Sequence, residues 1–597
     1  MFSKIKSISI FKNEKLLLIA LLLIVTALYV WNLSMNGYAN SYYAAAVQSA
    51  TKSWHAFFYA GLDSNGFISI DKPPLAIWIM AIFTRLLGFS NFAMLLPNVL
   101  AGLITVYLIY AIVRRHFSSF CALFSAAIMA LVPVSSLIFR YNNPDSFLVL
   151  FLVASLYAFM RSLEKNHWRW IILSSIFVGL AFNVKMLQAL IVLPVYFIIY
   201  LFFAKPLLKK RIAHLSIAFI SVIFVSFLWP LMVYLTPMAS RPYIGGTTDN
   251  NIWSLIFGYN GLSRLVGGAN QIGSMSGYGG QAGILRMFNG DFGLAIAWLL
   301  PAALISLVIL VWNYRYNLRH DLKRALVLTA GGWLVVYSLI FSLTAGTIHA
   351  YYSIIIVPVL AILIGVGIPA LWRSYKSKTH EQWCLPLAII LCAATELIIL
   401  GSDPGWLPAL RWIIFFGSLI SACLLIINLV KPNRRLRDMA VGASFVLIFG
   451  GMFLYSINTV STAHSGQIPT VAPLLMNSDP LVLSNTAKQY LISEHRTQTW
   501  IAATVYAENA ATIQLATDLP VMSIGGFRGT DKAMTYIKFR QIVTDGKIPF
   551  FVLGRRDVFD EKSEIGQIID WVTKNFKKIP EVSDSDFIIF DLSAVRL

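Results

Sequence analysis

The chain has 597 residues, of which 58% are hydrophobic and 12% charged, and it carries a formal net charge of +20. Soluble domains hold roughly 25% charged residues, so a cytosolic multidomain enzyme, a disordered protein and a nucleic-acid binder are excluded. A large polytopic membrane protein remains, and its basic excess has to be located before it is interpreted.

Apolar stretches of about 17 to 25 residues cross ~30 Å of hydrocarbon as helix. Thirteen occur, at 16–34, 92–113, 118–138, 146–161, 170–183, 186–203, 213–235, 293–313, 325–344, 352–372, 384–400, 409–430 and 439–457. The fifth is short, and 170–203 admits another division. Lys4, Lys6, Lys12 and Lys15 precede the first span. That span is longer than a signal-peptide core and no small-residue cleavage site follows, which predicts an uncleaved signal anchor.

Basic residues alternate between faces. The N-terminus and the loops after even-numbered spans hold 24, at Lys4, Lys6, Lys12, Lys15, Arg114, Arg115, Arg161, Lys165, Arg169, Lys205, Lys209, Lys210, Arg211, Arg315, Arg319, Lys323, Arg324, Arg373, Lys376, Lys378, Lys431, Arg434, Arg435 and Arg437. The other loops before residue 460 hold eight: Lys52, Lys72, Arg85, Arg140, Lys185, Arg241, Arg264 and Arg286. The positive-inside rule then predicts a cytoplasmic N-terminus. After thirteen spans the C-terminal segment lies outside. The +20 is mostly a topology signal and needs no nucleic acid.

Two outer loops are long, 35–91 and 236–292. Long loops are usually functional or disordered. The first is aromatic (Tyr38, Tyr42, Tyr43, Trp54, Phe57, Phe58, Tyr59) and contains the amphipathic run LAIWIMAIFTRLLGF (75–89), which predicts an interfacial helix. The fourth is glycine-rich. Beyond residue 460, strand-type runs at 500–506, 520–526, 549–554 and near 586–592 alternate with helical ones, which predicts a small parallel α/β sheet. The domains expected are a membrane domain over 1–459 and an extracytoplasmic α/β domain over 460–597. All four cysteines fall in predicted spans, so no disulfide framework or cysteine metal site is expected.

Ionisable groups in spans are functional by default. Only Glu396 qualifies, which weighs against an ion-coupled transporter and moves the chemistry to the outer surface. The outer loops before residue 460 contain six acids: Asp63, Asp71, Asp145, Asp249, Asp291 and Asp403. Asp71 sits in DKPP, where two prolines fix the chain, and Asp145 in RYNNPD. The plain alternative for each is a helix cap or surface ion pair. Lys72, Arg140, Lys185 and Arg241 lie at span ends and suit a phosphate, or snorkel to headgroups. His349 lies in HAYY, and GGFRGTD (525–531) lies between a strand and a helix. That position suits a ligand, but a plain turn is the preferred reading.

These motifs resemble the C-type, polyprenol-phosphate-sugar-dependent glycosyltransferases. The branch is that of protein O-mannosyltransferases and the aminoarabinose transferase of lipid A, with the bacterial YkcB-like subgroup most similar. The resemblance rests on NSYYAAAVQSATKSWHAFF (40–58), DKPPLAIW (71–78), RYNNPD (140–145), KMLQALIVLP (185–194), RPYIGGTTDN (241–250), GYNGLSRLVG (258–267), WLLPAAL (298–304), HAYY (349–352) and TWIAATVYAENAATIQLATDLPVMSIGGFRGTD (499–531). It implies thirteen spans, an extracytoplasmic site under the first loop and a lipid-linked donor. Related transferases carry an acid early in the first loop. Here that region reads NGYANSYY (36–43), with Asn40 and no carboxylate.

The expected enzyme is therefore a multi-pass cell-membrane hexosyltransferase, mannosyltransferase-like, with a flippase for lipid-linked sugar as the alternative. Asp71 is expected as base, with Asp63 second and Asp145 matching the family's second acidic position. Lys72, Arg140, Lys185 and Arg241 are expected to hold the donor phosphate. Tyr42, Tyr43, Asn143, Tyr243, His349 and Tyr351 are expected to bind substrate. The expected partners are a polyprenyl-phosphate sugar, membrane lipid, and an acceptor that is a glycopolymer, lipid or protein. No cofactor is required by this reading, which leaves room for a divalent cation.

Overall fold

The computed structural model describes residues 13–266, 279–472 and 481–595. Among these, eleven helical stretches are long and apolar enough to cross a membrane. Helix α1 (Glu14–Val30) is followed by the first long loop, which folds as α2 (Ser41–Lys52), α3 (Trp54–Tyr59) and α4 (Leu75–Leu87). Helix α4 is amphipathic as its sequence predicts. Ala76, Ile77, Met80 and Ala81 face inward, while Ile82, Leu86 and Leu87 are exposed.

Helix α5 (Asn91–Arg114) leads to α6 (Ser119–Leu131), which is too short to cross alone. A bend at Val132 continues it as α7 (Pro133–Ile138), with proline in the first turn, where its missing N–H costs nothing. Helix α8 (Asp145–Lys165) returns the chain. The next stretch, Trp168–Phe203, has 36 residues. As one helix it would be about 54 Å long, far beyond the bilayer core. It breaks instead at Met186 (φ 53°), followed by a 3-10 turn, Met186–Val192. Two passes result, α9 (Trp168–Lys185) and α10 (Leu193–Phe203). With this stretch read as two passes and α6–α7 as one, the thirteen spans of the sequence reading are recovered.

Helix α11 (Leu208–Leu235) enters the fourth long loop, where a π-helical segment, Ser254–Leu262, and α12 (Ser263–Val266) are described. The glycine-rich stretch 267–278 lies outside the described residues. Then follow α13 (Gly290–Ile296), α14 (Leu300–Asn313), α15 (Leu322–Leu343), α16 (Val357–Ser377), α17 (Cys384–Leu400), α18 (Leu410–Val430) and α19 (Arg434–Ser461). Helix α16 is buried on nearly all sides. A Cβ on Gly365 would meet Ser125 Oγ at 1.9 Å, and one on Gly367 would meet Ser306 Cβ at 2.1 Å. Glycine is what lets α16 approach α6 and α14 this closely.

The C-terminal part holds α20 (Asn485–Glu494), β1 (Ala502–Thr504), α21 (Ala507–Thr517), β2 (Val521–Ser523), α22 (Tyr536–Thr544), β3 (Phe550–Gly554), α23 (Glu564–Asn575), β4 (Phe576–Lys578) and β5 (Phe587–Val595). Every strand and helix expected there is present. The strand order is β2-β1-β3-β5-β4. The sheet is mixed, not parallel as expected: β1 runs parallel to β2 and β3, but β5 is antiparallel to β3 and β4. The connection 579–586 between β4 and β5 is too short for a crossover, which takes a dozen or more residues.

Helix α21 packs on α2 and bolts the sheet to the first loop. Gln514 Nε2 donates toward Ala45 O (3.1 Å), Ser49 Oγ (3.0 Å) and Leu62 O (3.1 Å). Lys52 pairs with Asp518 at 2.5 Å.

Candidate active site

Two buried ion pairs anchor the site, and each is placed by a helix end. Asp71 and Lys72 lie in the turn before α4, where Pro73 and Pro74 restrict the backbone. The stretch 67–69 is tied to the fourth loop by backbone bonds, Ser69 N–H to Tyr243 O (2.8 Å) and Tyr243 N–H to Phe67 O (3.0 Å). Asp145 opens α8, and Lys185 closes α9 where the chain breaks.

Asp71 is 2% exposed. Its Oδ2 accepts from Lys72 Nζ at 2.8 Å. Its N–H donates to the Tyr42 hydroxyl at 2.9 Å, and its carbonyl accepts from Asn260 Nδ2 at 2.9 Å. Asp71 Oδ1 is buried and meets no donor in hydrogen-bond geometry among the described residues, but the Tyr259 hydroxyl stands beside it and helps to lower the carboxyl. Burial pushes the Asp71 carboxyl up, but Lys72 and Arg264 outweigh it and hold it below the ordinary range. Burial pulls the Lys72 ammonium down to about 8, against the pull of Asp71. Asp71 is thus ionised at neutral pH, with Oδ1 beside the Tyr259 hydroxyl.

Asp145 is closed by comparison. Both its oxygens accept from Lys185 Nζ at 2.7 Å. The Lys185 ammonium lies 3.5 Å above the Tyr352 ring, a cation–π contact. Lys72 acts electrostatically on both Asp145 and Lys185, so the pairs share one pocket. Tyr43 lies within the field of both acids. Asn143 caps the backbone N–H of Asp145 at 3.0 Å and reaches Tyr351. His349 stacks on Tyr351, with ring centroids 5.6 Å apart. Burial, then the cations Arg264, Lys185, Lys72 and Arg528, pull this imidazole well below its usual range, so it is neutral.

The cluster contains residues the sequence shortlist missed. Tyr259 and Asn260 come from the π-helical segment, a feature frequent at functional sites. Arg264 follows on α12, 5.2 Å from the Tyr259 ring centroid, and Nη1 donates to the Tyr352 hydroxyl at 3.4 Å. Its backbone carbonyl lies where a Cβ on Gly346 would be, at 2.3 Å, so that glycine admits α12. Tyr352 adjoins the chosen Tyr351. The only signal for these residues was their place in GYNGLSRLVG and HAYY.

Four expected site residues stand elsewhere. Arg140 donates to the carbonyls of Leu28 (2.9 Å), Tyr29 (3.0 Å) and Val460 (3.2 Å). It clamps the ends of α1 and α19 and is not set toward a phosphate. Asp63 accepts from Asn65 N (3.0 Å), Phe67 N (3.0 Å) and Trp500 Nε1 (3.1 Å), so its oxygens organise a turn. Arg241 donates to Pro242 O (3.2 Å), Asn250 Oδ1 (2.7 Å) and Asn250 O (2.9 Å) and braces its own loop. The Tyr243 hydroxyl donates to Thr247 O at 2.8 Å, and its backbone joins the two long loops. Asn40 caps α2 by accepting from Tyr43 N at 3.2 Å. For a divalent cation the donor set is unfavourable, since lysines occupy both Asp145 oxygens and Asp71 Oδ2. Among the described residues no three His, Cys, Asp or Glu side chains converge as ligands.

Two family models match the chain. Residues 71–229 match dolichyl-phosphate-mannose-protein mannosyltransferase, and residues 487–575 match "Putative mannosyltransferase YkcB-like, C-terminal". Two Bacillus subtilis proteins are similar over nearly the full length. "Putative mannosyltransferase YycA" is 28% identical over 94% of this chain and 94% of its own. "Putative mannosyltransferase YkcB" is 29% identical over 95% of this chain and 92% of its own. Among solved structures, ArnT from Cupriavidus metallidurans bound to undecaprenyl phosphate superposes with a TM-score of 0.56 at 16% identity, over 97% of each chain. The two matched regions and the full-length relatives agree: this chain is a membrane glycosyltransferase similar to the YkcB-like putative mannosyltransferases.

Proposed function

We propose that this membrane glycosyltransferase moves a hexose from a polyprenyl-phosphate donor to an acceptor hydroxyl, by one inverting displacement with Asp71 as base. The observation that carries this is Asp71 Oδ1, which the Lys72 ammonium leaves open beside the Tyr259 hydroxyl, in a buried carboxylate flanked by cations. A base has to offer an unoccupied lone pair within hydrogen-bond reach of the proton it takes. As the acceptor oxygen bonds to the anomeric carbon, its proton passes to Asp71 Oδ1. The bond from that carbon to the phosphate oxygen breaks, and polyprenyl phosphate leaves with the electron pair. Lys72 and Arg264 face the charge that grows on it, the term usually largest in such steps. Asp145 with Lys185 keeps Tyr351 and Tyr352 in place, where aromatic faces and the neutral His349 suit a sugar.

An apolar groove of about 790 Å³ lies between α10, α14 and α15, from Val195 near the break at Met186 to Arg319 and Arg324. It is fitted to an isoprenoid chain. In this reading the site faces outward. Arg114, Arg115 and Arg161, which pair with Glu14 and Glu164 at the opposite face, are cytoplasmic, as is the N-terminus. The flippase alternative is set aside, because the matched families are transferases.

The test is donor turnover by the purified protein in detergent. Polyprenyl-phosphate hexose should be converted to polyprenyl phosphate in the presence of membrane acceptor, with product configuration opposite to the donor's. Retention of configuration, read by NMR of the glycoside, would overturn the single displacement.

A further inference from the structure

The loop GGFRGTD (525–531), between β2 and α22, reaches the site from the C-terminal part. It makes three contacts, and each lands on a residue adjoining Asp71. Asp531 Oδ2 accepts the N–H of Gly246 at 2.7 Å. A Cβ on Gly246 would lie 3.1 Å from Asp71 Cβ. Phe527 packs on Tyr42 with ring centroids 5.0 Å apart, and the Tyr42 hydroxyl holds the Asp71 N–H. Arg528 lies 4.5 Å over the Tyr259 ring, beside the Asp71 carboxyl.

The loop is shaped for this approach. Gly526 and Gly529 have φ of +66° and +71°, where other residues are strained. A Cβ on Gly526 would stand 2.0 Å from Asp531 Oδ2, and one on Gly529 would stand 2.6 Å from the Tyr506 ring. The plain turn of the sequence reading is instead a built contact.

Arg528 and Arg264 both flank the Tyr259 ring, at 4.5 and 5.2 Å. Neither guanidinium has a carboxylate within 4.0 Å among the described residues, whereas Lys72 and Lys185 are both paired. Two guanidinium groups without a carboxylate in direct contact, gathered on one ring, define a place for an anion, and the planar fork of arginine matches phosphate.

We propose that Arg528 and Arg264 form a clamp for the phosphate of the lipid donor, so that the C-terminal part supplies a substrate-binding side chain. This rests on the transferase reading above. It makes the C-terminal part a component of the active site, and donor binding a reaction between the two halves of the chain.

The test is binding of a C55 polyprenyl phosphate to the full-length protein in detergent, alongside R528M and R528K. Methionine keeps the packing on Tyr259 without the charge, and lysine keeps the charge without the fork. R528M should bind about ten- to a hundredfold more weakly, the range set by a hydrogen bond to a charged group. R528K should fall between, and both should melt with wild type. Equal binding by R528M and wild type would overturn the clamp. If wild type itself binds no polyprenyl phosphate, the transferase reading fails instead. Retained binding by D71N separates the clamp from the base.

Discussion

At Asp145 both carboxylate oxygens accept from one ammonium, whereas the Lys72 ammonium leaves Asp71 Oδ1 open. That difference assigns different outcomes to the same substitution. D71N should lower transfer by about 10²- to 10⁴-fold, the usual worth of a general base; because it also leaves the buried Lys72 ammonium without its partner, D71N/K72M should recover melting temperature but not transfer. D145N leaves the Lys185 ammonium buried without its partner, a loss of about 3–5 kcal/mol. Its melting temperature should fall, and D145N/K185M should recover part of it. The pH profile follows from Lys72, whose ammonium is held at about 8. It is protonated below that value and loses its charge as pH rises through it, so transfer should decline on the alkaline side. The Asp71 carboxylate, held low, stays ionised at neutral pH and contributes no limb there. In K72R the share of the alkaline limb due to Lys72 should vanish, since arginine keeps its proton, and what remains should be that of Lys185, also held at about 8. Asp71 was legible because DKPP fixes an acid at a helix start. Arg140 misled because a cation near a span end reads alike whether it meets a phosphate or, as here, three backbone carbonyls.

Helices were the most legible level, because a membrane demands long apolar runs and breaks them only where something compensates. The break at Met186 fell at the first residue of the predicted span 186–203, and it is what carries Lys185 to Asp145. The close approaches of α16 were not legible, since a glycine in an apolar run does not announce its neighbour. G365A and G367A should each destabilise the protein more than an exposed-helix glycine substitution, which gains stability. Thermal unfolding in detergent reads this, with G442A, where a Cβ meets nothing within 4 Å, as the comparison. The bolt between α21 and α2 offers a second contrast. Q514L removes the buried amide donor shared by Ala45 O, Ser49 Oγ and Leu62 O, of which Leu62 O keeps its bond from Ser49 Oγ, and should cost about 1–3 kcal/mol. D518N removes an ion pair whose side chains are 38% and 71% exposed, and should cost under about 1 kcal/mol.

Across the whole molecule, the site is assembled from segments far apart in sequence: the first loop, the starts and ends of α8 and α9, the fourth loop, the turn before α16 and a loop of the C-terminal sheet. Tyr259, Asn260, Arg264 and Arg528 were invisible as a group because their proximity is created only by folding. The basic excess separates in the same way. Most of it lies at the face opposite Asp71, and the few cations near Asp71 are the ones the proposed chemistry uses. Single-turnover transfer from polyprenyl-phosphate hexose, wild type against D71N with donor binding measured in parallel, tests this account most directly. The account predicts that D71N binds donor normally and forms no detectable product. Product formation by D71N at the wild-type rate would contradict it.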